Sequence, residues 1–224
     1  MKNHVFMNLI INFFCEVADL IYPPKCLLCG DFRGSAVCDE CYDMIKAGSD
    51  LKIEVDFINK VFILGKYDGY LEKAVRLLKF HNKVIITLYL GKLLADKIID
   101  LNIYIKDAIF VPVPLHIKRI KERGFNQSKK ILEEAKIILP EINIIQENRF
   151  IRTKNTKHFF DLKENERSKE IKNAFEVADK NYFKGKNIIL FDDILTTGLT
   201  LKEAARTLRA AGAGEISAIA LSKA

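Results

Sequence analysis

The chain has 224 residues, of which 49% are hydrophobic, so it is long and apolar enough to bury a core, and a largely disordered protein is excluded. Its 36 lysines and arginines outnumber its 29 aspartates and glutamates, giving a net charge of +7 and favouring a polyanionic partner. No uninterrupted apolar run approaches the roughly 18 residues that a membrane-spanning helix needs, so no transmembrane segment is predicted.

The N-terminal segment, residues 1–22, carries apolar residues at helical spacing and is followed by Pro23 and Pro24. It predicts an amphipathic helix that packs on the protein. The apolar run is broken by Asn8, Asn12, Glu16 and Asp19, which makes it a poor signal peptide. We therefore expect a cytoplasmic protein that is at most peripheral at the inner face of the membrane.

Two Cys-x₂-Cys pairs come next, Cys26 with Cys29 and Cys38 with Cys41. This spacing is typical of two turns that direct four thiolates at one Zn²⁺, which leaves no open coordination position for catalysis. Two disulfides or a redox-active pair are the alternatives. A reducing compartment argues against disulfides, and the lack of a thioredoxin-like pattern argues against redox chemistry. We expect a structural zinc finger over residues 23–50, whose metal contributes the folding energy of a segment too small for its own core.

Beyond a turn-rich break at residues 47–50, the hydrophobic pattern predicts strands alternating with helices over residues 51–224. Such alternation is typical of an α/β domain with a mostly parallel sheet flanked by helices. The predicted strands are 61–67, 108–113, 142–145, 175–177, 188–191 and 216–221. The predicted helices are 69–78, 85–99 and 199–211. A cationic loop, residues 79–83, joins the first two helices and is a candidate site for a pyrophosphate; a solvated loop is the alternative.

Two later segments concentrate basic side chains. The first segment contains Arg119 and Arg123 and is predicted to be a loop. Its two arginines are expected to close over a polyphosphate, which they bind through paired guanidinium donors. The second has Phe150, Phe159 and Phe160 interleaved with cations, as on surfaces where bases stack and cations follow the backbone of single-stranded nucleic acid. The alternative places the phenylalanines in the core. The candidate nucleic-acid-binding residues are Lys118, Arg119, Arg123, Phe125, Lys129, Arg149, Arg152 and Lys154.

The most informative segment is residues 188–200, in which a predicted strand ends at Asp192 and Asp193 and a Thr/Gly turn opens a helix. Ligands collect at such strand ends, where the N–H groups of the following helix favour an anion. Gly198 lets the backbone approach a phosphate, and hydroxyl groups add donors. Like charges keep the two carboxylates off that phosphate, so they bind a sugar diol or hold Mg²⁺ through water. The pattern predicts a ribose 5-phosphate site. The alternative is that the Asp pair merely ends a strand and the Thr/Gly turn merely reverses the chain, which is the better interpretation of either motif alone.

Residues 188–200 resemble the phosphoribosyl pyrophosphate signature of type I phosphoribosyltransferases. Residues 111–116, Arg119 and residues 123–128 narrow the resemblance to the ComF family, competence-associated proteins with a phosphoribosyltransferase domain and an N-terminal cysteine cluster. The resemblance implies a type I phosphoribosyltransferase-like sheet, phosphoribosyl pyrophosphate with Mg²⁺ as ligand, and Asp192 and Asp193 as catalytic residues. The ligand-binding residues implied are Asp192, Asp193, Ile194, Leu195, Thr196, Thr197, Gly198, Thr200, Lys79, Arg119 and Arg123.

Three functions follow from these patterns. The first is a ComF-type protein of natural transformation that binds single-stranded DNA and phosphoribosyl pyrophosphate and meets proteins of the DNA-uptake machinery. The second is an active phosphoribosyltransferase of nucleotide metabolism, in which a nitrogen nucleophile displaces pyrophosphate. The third is a regulator that senses phosphoribosyl pyrophosphate. No segment of the sequence identifies an acceptor base.

Overall fold

A computed structural model describes residues 23–46, 51–103, 107–146, 148–156 and 164–224. The predicted helix over residues 1–22 lies outside the described residues, as do Phe159 and Phe160.

The described residues form eight strands in two sheets. The strands are β1 (Leu51–Lys52), β2 (Lys60–Ile63), β3 (Ile109–Pro112), β4 (Asn143–Ile144), β5 (Phe150–Arg152), β6 (Phe175–Val177), β7 (Ile188–Leu195) and β8 (Ile216–Lys223). Six of them form the main sheet. The main sheet has the order β1-β2-β8-β7-β3-β4 and is parallel except for β1, which runs antiparallel to β2. Strands β5 and β6 form a separate antiparallel pair. The expected mostly parallel sheet is confirmed, but 175–177 lies outside it, and β5 was not predicted.

Helices flank this sheet. They are α1 (Asp39–Lys46), α2 (Gly69–Phe80), α3 (Ile86–Asp100), α4 (Ile117–Arg123), α5 (Gln127–Ile138), α6 (Glu164–Ile171), α7 (Lys180–Phe183) and α8 (Leu199–Ala210). The prediction that the basic segment containing Arg119 and Arg123 forms a loop is wrong, because that segment forms the helices α4 and α5. His116 caps α4 by accepting from the Lys118 N–H at 3.3 Å, and Asn126 caps α5 by accepting from the Lys129 N–H at 3.2 Å. Gly124 ends α4 in the left-handed region, at φ +84°.

The core has two apolar layers, one on each face of the sheet. Side chains alternate along β7, so Ile189 and Phe191 join one layer while Ile188 and Leu190 join the other. The first layer holds the buried faces of α2, α3 and α5. It also holds Cys26, Leu28, Val37, Cys38, Cys41, Tyr42 and Ile45 of the cysteine-bearing segment. That segment, residues 23–46, is called the finger below, and it shares a hydrophobic core with the α/β unit.

Polar contacts fix the finger on α3. The Tyr42 hydroxyl donates to Asp96 at 2.9 Å, and the Lys46 ammonium lies 3.5 Å from both Asp96 and Asp100. Lys92 places its ammonium 4.1 Å from the centre of the Tyr42 ring. The first turn of the finger is tied to α2 as well, since Lys73 donates to the Leu28 carbonyl.

Helices α3 and α5 touch at Gly91, because a Cβ there would lie 2.5 Å from Glu134 Cβ and 2.9 Å from the Ala135 nitrogen. Gly91→Ala must push the two helices apart, and we expect it to lower the free energy of unfolding by about 2 kcal/mol. Urea denaturation measures this change. Ile99→Ala, at an exposed position of the same helix, should change stability by less than about 0.5 kcal/mol. Equal losses in the two variants would contradict the close contact.

Candidate functional site

The Asp pair lies inside a strand and not at its end. Strand β7 continues to Leu195, since Asp192 pairs with Ala220 and Ile194 with Ser222 of β8. The predicted strand end at residue 191 is therefore wrong, because the sequence pattern ends where the apolar run ends while the ladder with β8 goes on.

Asp193 is only 7% exposed and forms an ion pair with Lys79, whose Nζ lies 2.8 Å from Asp193 Oδ1. Lys79 belongs to the last turn of α2, so the predicted cationic loop begins only after Phe80. The Asp193 carbonyl accepts a hydrogen bond from the Ser222 hydroxyl at 3.2 Å. These contacts hold the Asp193 carboxylate in one orientation.

Asp192 faces α5. Its Oδ1 accepts from the Ser128 hydroxyl at 3.4 Å and from the Asp193 N–H at 2.9 Å. Burial and the Asp193 charge raise the pKa of Asp192 to about 7, against the opposing effects of Lys79 and Arg152. Near neutral pH this carboxyl group is therefore divided between its protonated and ionised forms.

Three arginines surround the two carboxylates. Burial lowers the pKa of both Arg123 and Arg152, whereas the Asp193 charge acts to raise that of Arg123 and the Asp192 charge acts to raise that of Arg152. The Arg119 charge lowers both pKa values further, so Arg119 repels both Arg123 and Arg152. Glu122 lies 3.9 Å from Arg119 and also acts to raise the pKa of Arg123. With Lys79, four cations stand against three carboxylates, and this excess of positive charge favours an anion.

Two buried donors of this region lack a hydrogen-bond acceptor among the described residues, Gln127 Nε2 and Arg152 Nε. Gln127 is 2% exposed, and its Oε1 accepts from Arg123 at 3.3 Å. Arg152 donates from Nη2 to the Thr156 hydroxyl. Buried donors are nearly always paired in folded proteins, so both atoms suit the oxygens of a phosphorylated ligand.

The Thr/Gly turn opens helix α8 beside the Asp pair. Thr196 and Thr197 are exposed, and Thr200 is half-buried. Gly198 has φ +77°, and a Cβ there would lie 3.2 Å from Val55 Cγ2, so a side chain at this position is strained and crowded. The Leu195 side chain is buried in the core and Ile194 packs against it, so these two residues can offer a ligand little besides backbone groups.

Among the predicted nucleic-acid residues, Arg119, Arg123 and Arg152 lie near the Asp pair, and the other five have surroundings of their own. Lys118 is exposed, Phe125 packs against the core, and Lys129 lies 3.6 Å from Glu133. Arg149 lies 3.5 Å from Asp179, and Lys154 donates to the Lys172 carbonyl.

The interpretation of Phe150 as a base-stacking residue is wrong. Its ring is buried and stacks on Phe175 at 5.4 Å between centroids, because β5 pairs with β6 over the second core layer. Arg152 of the same strand lies within electrostatic range of Asp192, whose charge acts to raise the pKa of Arg152.

Gln127 and Ser128 were not predicted as site residues, although the sequence contained a signal. Residues four apart share a helix face, which puts Gln127 with Ile131 and Ser128 with Leu132. Polar side chains on an otherwise apolar face need a partner, and here that partner is the site.

The four cysteines lie together in the finger. Their sulfur atoms are all within 4.8 Å of one another, and Cys29 Sγ lies 3.9 Å from Cys38 Sγ. No disulfide joins these four thiols. Four sulfurs about 2.3 Å from a tetrahedral Zn²⁺ would lie roughly 3.8 Å apart, so the cluster has the size and donor set of a four-cysteine metal site.

Backbone N–H groups support this cluster. Those of Leu28 and Cys38 each donate to Cys26 Sγ at 3.4 Å. Burial alone would raise the pKa of the Cys26 thiol, but hydrogen bonds from the backbone of Cys29, Cys38 and Leu28 outweigh it and lower the pKa to about 6. Burial raises the pKa of Cys41. A thiolate at Cys26 is the form that a metal binds.

Among the helices that the structure describes, none has the length and apolar character to cross a membrane.

Comparisons with known proteins agree with this geometry. A family model described as phosphoribosyl transferase domain matches residues 120–223, which include Arg123, Arg152, the Asp pair and the Thr/Gly turn. Competence protein F of Haemophilus influenzae is 33% identical over 184 residues, covering 79% of this chain and 78% of that protein. Competence protein ComFC of Bacillus subtilis is 34% identical over 117 residues, covering 52% of this chain and 45% of that protein.

Solved structures give weaker likenesses. A phosphoribosyltransferase from Corynebacterium diphtheriae has a TM-score of 0.35 at 16% identity and covers 80% of this chain and 78% of its own. Glutamine phosphoribosylpyrophosphate amidotransferase from Bacillus subtilis has a TM-score of 0.36 at 18% identity, and the match covers 59% of this chain and 25% of that one.

Proposed function

The chain belongs to the ComF family of competence proteins, and from that premise we propose that it binds phosphoribosyl pyrophosphate and handles single-stranded DNA in natural transformation. It is a competence-related protein with a phosphoribosyltransferase domain. The finer proposal rests mainly on one observation. The Asp pair, the Lys79 ammonium and a turn with exposed Thr196 and Thr197 lie at the carboxyl end of β7, and the charges of the two carboxylates act on Arg123 and Arg152.

Each part of this site suits one part of the ligand. The Thr196–Gly198 turn and the N–H groups that open α8 suit the 5-phosphate. The carboxylates of Asp192 and Asp193 suit the ribose hydroxyls, which donate hydrogen bonds. Lys79 holds the Asp193 carboxylate in place for this task through an ion pair, since its ammonium lies 2.8 Å away.

The arginines suit the pyrophosphate. Arg119 repels Arg123 and Arg152, so an anion among them relieves that repulsion and satisfies the unpaired Nε donor of Arg152. The hard carboxylate oxygens of Asp192 and Asp193 also fit Mg²⁺, held directly or through water. When bound with the ligand, that ion supplies positive charge against the pyrophosphate oxygens.

One observation favours turnover as a second function. The pKa of Asp192, raised to about 7 by burial and by Asp193, is in the range of an effective general base. Ionised Asp192 would take the proton of a nitrogen nucleophile that attacks the anomeric carbon as the bond to pyrophosphate breaks. Release of pyrophosphate from phosphoribosyl pyrophosphate, measured across a panel of nitrogenous bases, tests this second function.

Calorimetric titration with phosphoribosyl pyrophosphate in Mg²⁺ tests the binding proposal. We expect binding, with ribose 5-phosphate and pyrophosphate each binding more weakly because each fills part of the site. Thr197→Val should weaken binding roughly tenfold, as expected for one lost hydrogen bond to a charged group. Thr153→Val, at an exposed threonine of the β5 region, should bind as the unmodified chain does. Absence of binding in the unmodified chain would refute the proposal.

A further inference from the structure

The exposed apolar side chains at the junction of α2 and α3 form a distinct surface feature. Residues 79–88, called the α2–α3 corner below, include Phe80 at 64% exposure together with exposed Val84, Ile85 and Leu88. The N–H groups of His81 and Lys83 both bond to the Leu77 carbonyl and fold the connection back onto α2. Soluble proteins seldom expose such clusters except where something binds.

The charge around the corner indicates the chemistry of its partner. Between Lys73 and Ala95 the sequence contains no aspartate or glutamate. The same segment carries the cationic or titratable side chains Lys73, Arg76, Lys79, His81, Lys83 and Lys92. Four of these side chains have contacts within the chain: Lys73 with the Leu28 carbonyl, Arg76 with Glu72, Lys79 with Asp193 and Lys92 with the Tyr42 ring. His81 and Lys83 follow Phe80 directly, and an apolar, aromatic surface beside such side chains fits a ligand with flat apolar faces and an anionic backbone, which is single-stranded nucleic acid.

The corner also begins at the edge of the ligand site. Lys79, which precedes Phe80, places its Nζ 2.8 Å from Asp193 Oδ1. A nucleic-acid strand bound over the α2–α3 corner would therefore lie beside the proposed ribose-phosphate site.

The other described phenylalanines are less suitable for stacking. Phe150 is buried. Phe32 is exposed, but the Lys25 ammonium lies 4.6 Å from the centre of its ring. Phe57 is exposed but precedes β2, at the amino-terminal edge of the sheet and away from the carboxyl end of β7.

We propose that the α2–α3 corner binds single-stranded DNA, with a base stacked on Phe80, apolar contacts to Val84, Ile85 and Leu88, and phosphates near His81 and Lys83. This inference rests on the DNA-handling half of the proposed function and assigns that half a surface.

The absence of tryptophan from the sequence provides a direct test. Phe80→Trp introduces a single indole, and titration with a 20-residue oligothymidylate should quench its fluorescence as a base stacks on it. Phe57→Trp is the matched control and should show no quenching. In fluorescence anisotropy with the labelled oligonucleotide, Phe80→Ala should weaken binding roughly 5- to 100-fold, and Lys83→Gln should weaken it less while reducing the salt dependence.

The outcomes separate this inference from the function on which it rests. Equal affinity of Phe80→Ala and the unmodified chain, with no quenching in Phe80→Trp, overturns the corner alone. No binding of the oligonucleotide by the unmodified chain overturns the DNA-handling half as well, while phosphoribosyl pyrophosphate binding is measured separately. A change in sedimentation of Phe80→Ala without a change in DNA affinity identifies the corner as a contact between copies of the chain and overturns the inference.

Discussion

Replacing Cys41 by serine is expected to abolish metal binding at the finger and to lower the midpoint of thermal unfolding by roughly 10 °C or more. Cys41 belongs to the cluster whose four sulfur atoms lie within 4.8 Å of one another, and we expect a metal held there to contribute to the folding of this small segment. Its neighbours Tyr42 and Ile45 belong to the same core layer as Leu71 and Leu94. Loss of the finger therefore exposes apolar faces of α2 and α3, and the effect should spread beyond residues 23–46.

Atomic emission and calorimetric unfolding measure the two parts of this result. The unmodified chain should hold one zinc ion per chain, and Cys41→Ser should hold none. Asp43→Asn is the matched control, since Asp43 is exposed in the same helix and is not a member of the cysteine cluster. A Cys41→Ser variant that melts with the unmodified chain would show that the metal does not support this core.

Asp192→Asn is expected to weaken phosphoribosyl pyrophosphate binding roughly 10- to 100-fold and yet to stabilise the unliganded protein by about 1 kcal/mol at pH 8. The two effects have opposite signs because the same carboxylate favours ligand binding and disfavours the folded, unliganded protein. Ionised Asp192 accepts hydrogen bonds from the ligand, but its charge is buried beside that of Asp193. Asp193→Asn should instead destabilise the protein by about 3 kcal/mol, since Lys79 would lose the carboxylate 2.8 Å away.

The pH dependence follows from the same group. Burial and Asp193 raise the pKa of Asp192 to about 7, above the value near 4 expected in the unfolded chain, so the folded state binds the extra proton between these two values. The contribution of Asp192 to stability is thus fully present below about pH 4 and is lost as the pH rises through about 7. Ligand affinity should change in the opposite direction and fall as the pH is lowered from 8 to 6.

Calorimetric titrations at pH 6, 7 and 8 and unfolding curves from pH 5 to 8 measure both trends. In the Asp192→Asn variant, ligand affinity and stability should both depend less on pH. Asp56→Asn, at an exposed surface ion pair, is the control and should retain both pH dependences. Affinity that is independent of pH in the unmodified chain would contradict a role for ionised Asp192 in binding.

Local patterns in the sequence predicted the elements well wherever one periodicity dominated. The helix expected at 85–99 is α3, and the helix expected at 199–211 is α8. Errors arose where two interpretations competed. The density of basic residues after β3 favours a loop, whereas the caps His116 and Asn126 favour the two helices that form there. The apolar run of β7 predicts a strand that ends at residue 191, whereas pairing with β8 carries the strand through the Asp pair.

The sequence by itself determined the chemistry that is local in the chain: two Cys-x₂-Cys pairs, an Asp pair followed by a Thr/Gly turn, and an alternating α/β pattern. Spacing along the chain is enough for these features because each is formed within a few residues. Only the tertiary structure decided the distant partners. It brought Lys79 of α2 to Asp193, Ser128 of α5 to Asp192 and Arg152 of β5 toward the same carboxylates.

Burial was likewise decided in three dimensions. Phe150 and Phe80 are both phenylalanines beside cations in the sequence, yet one is stacked in the core and the other is exposed. The sequence pattern around each residue is similar. What separates them is the pairing of β5 with β6 over the sheet and the end of α2 at the surface, since whether a side chain meets water depends on the elements that pack around it.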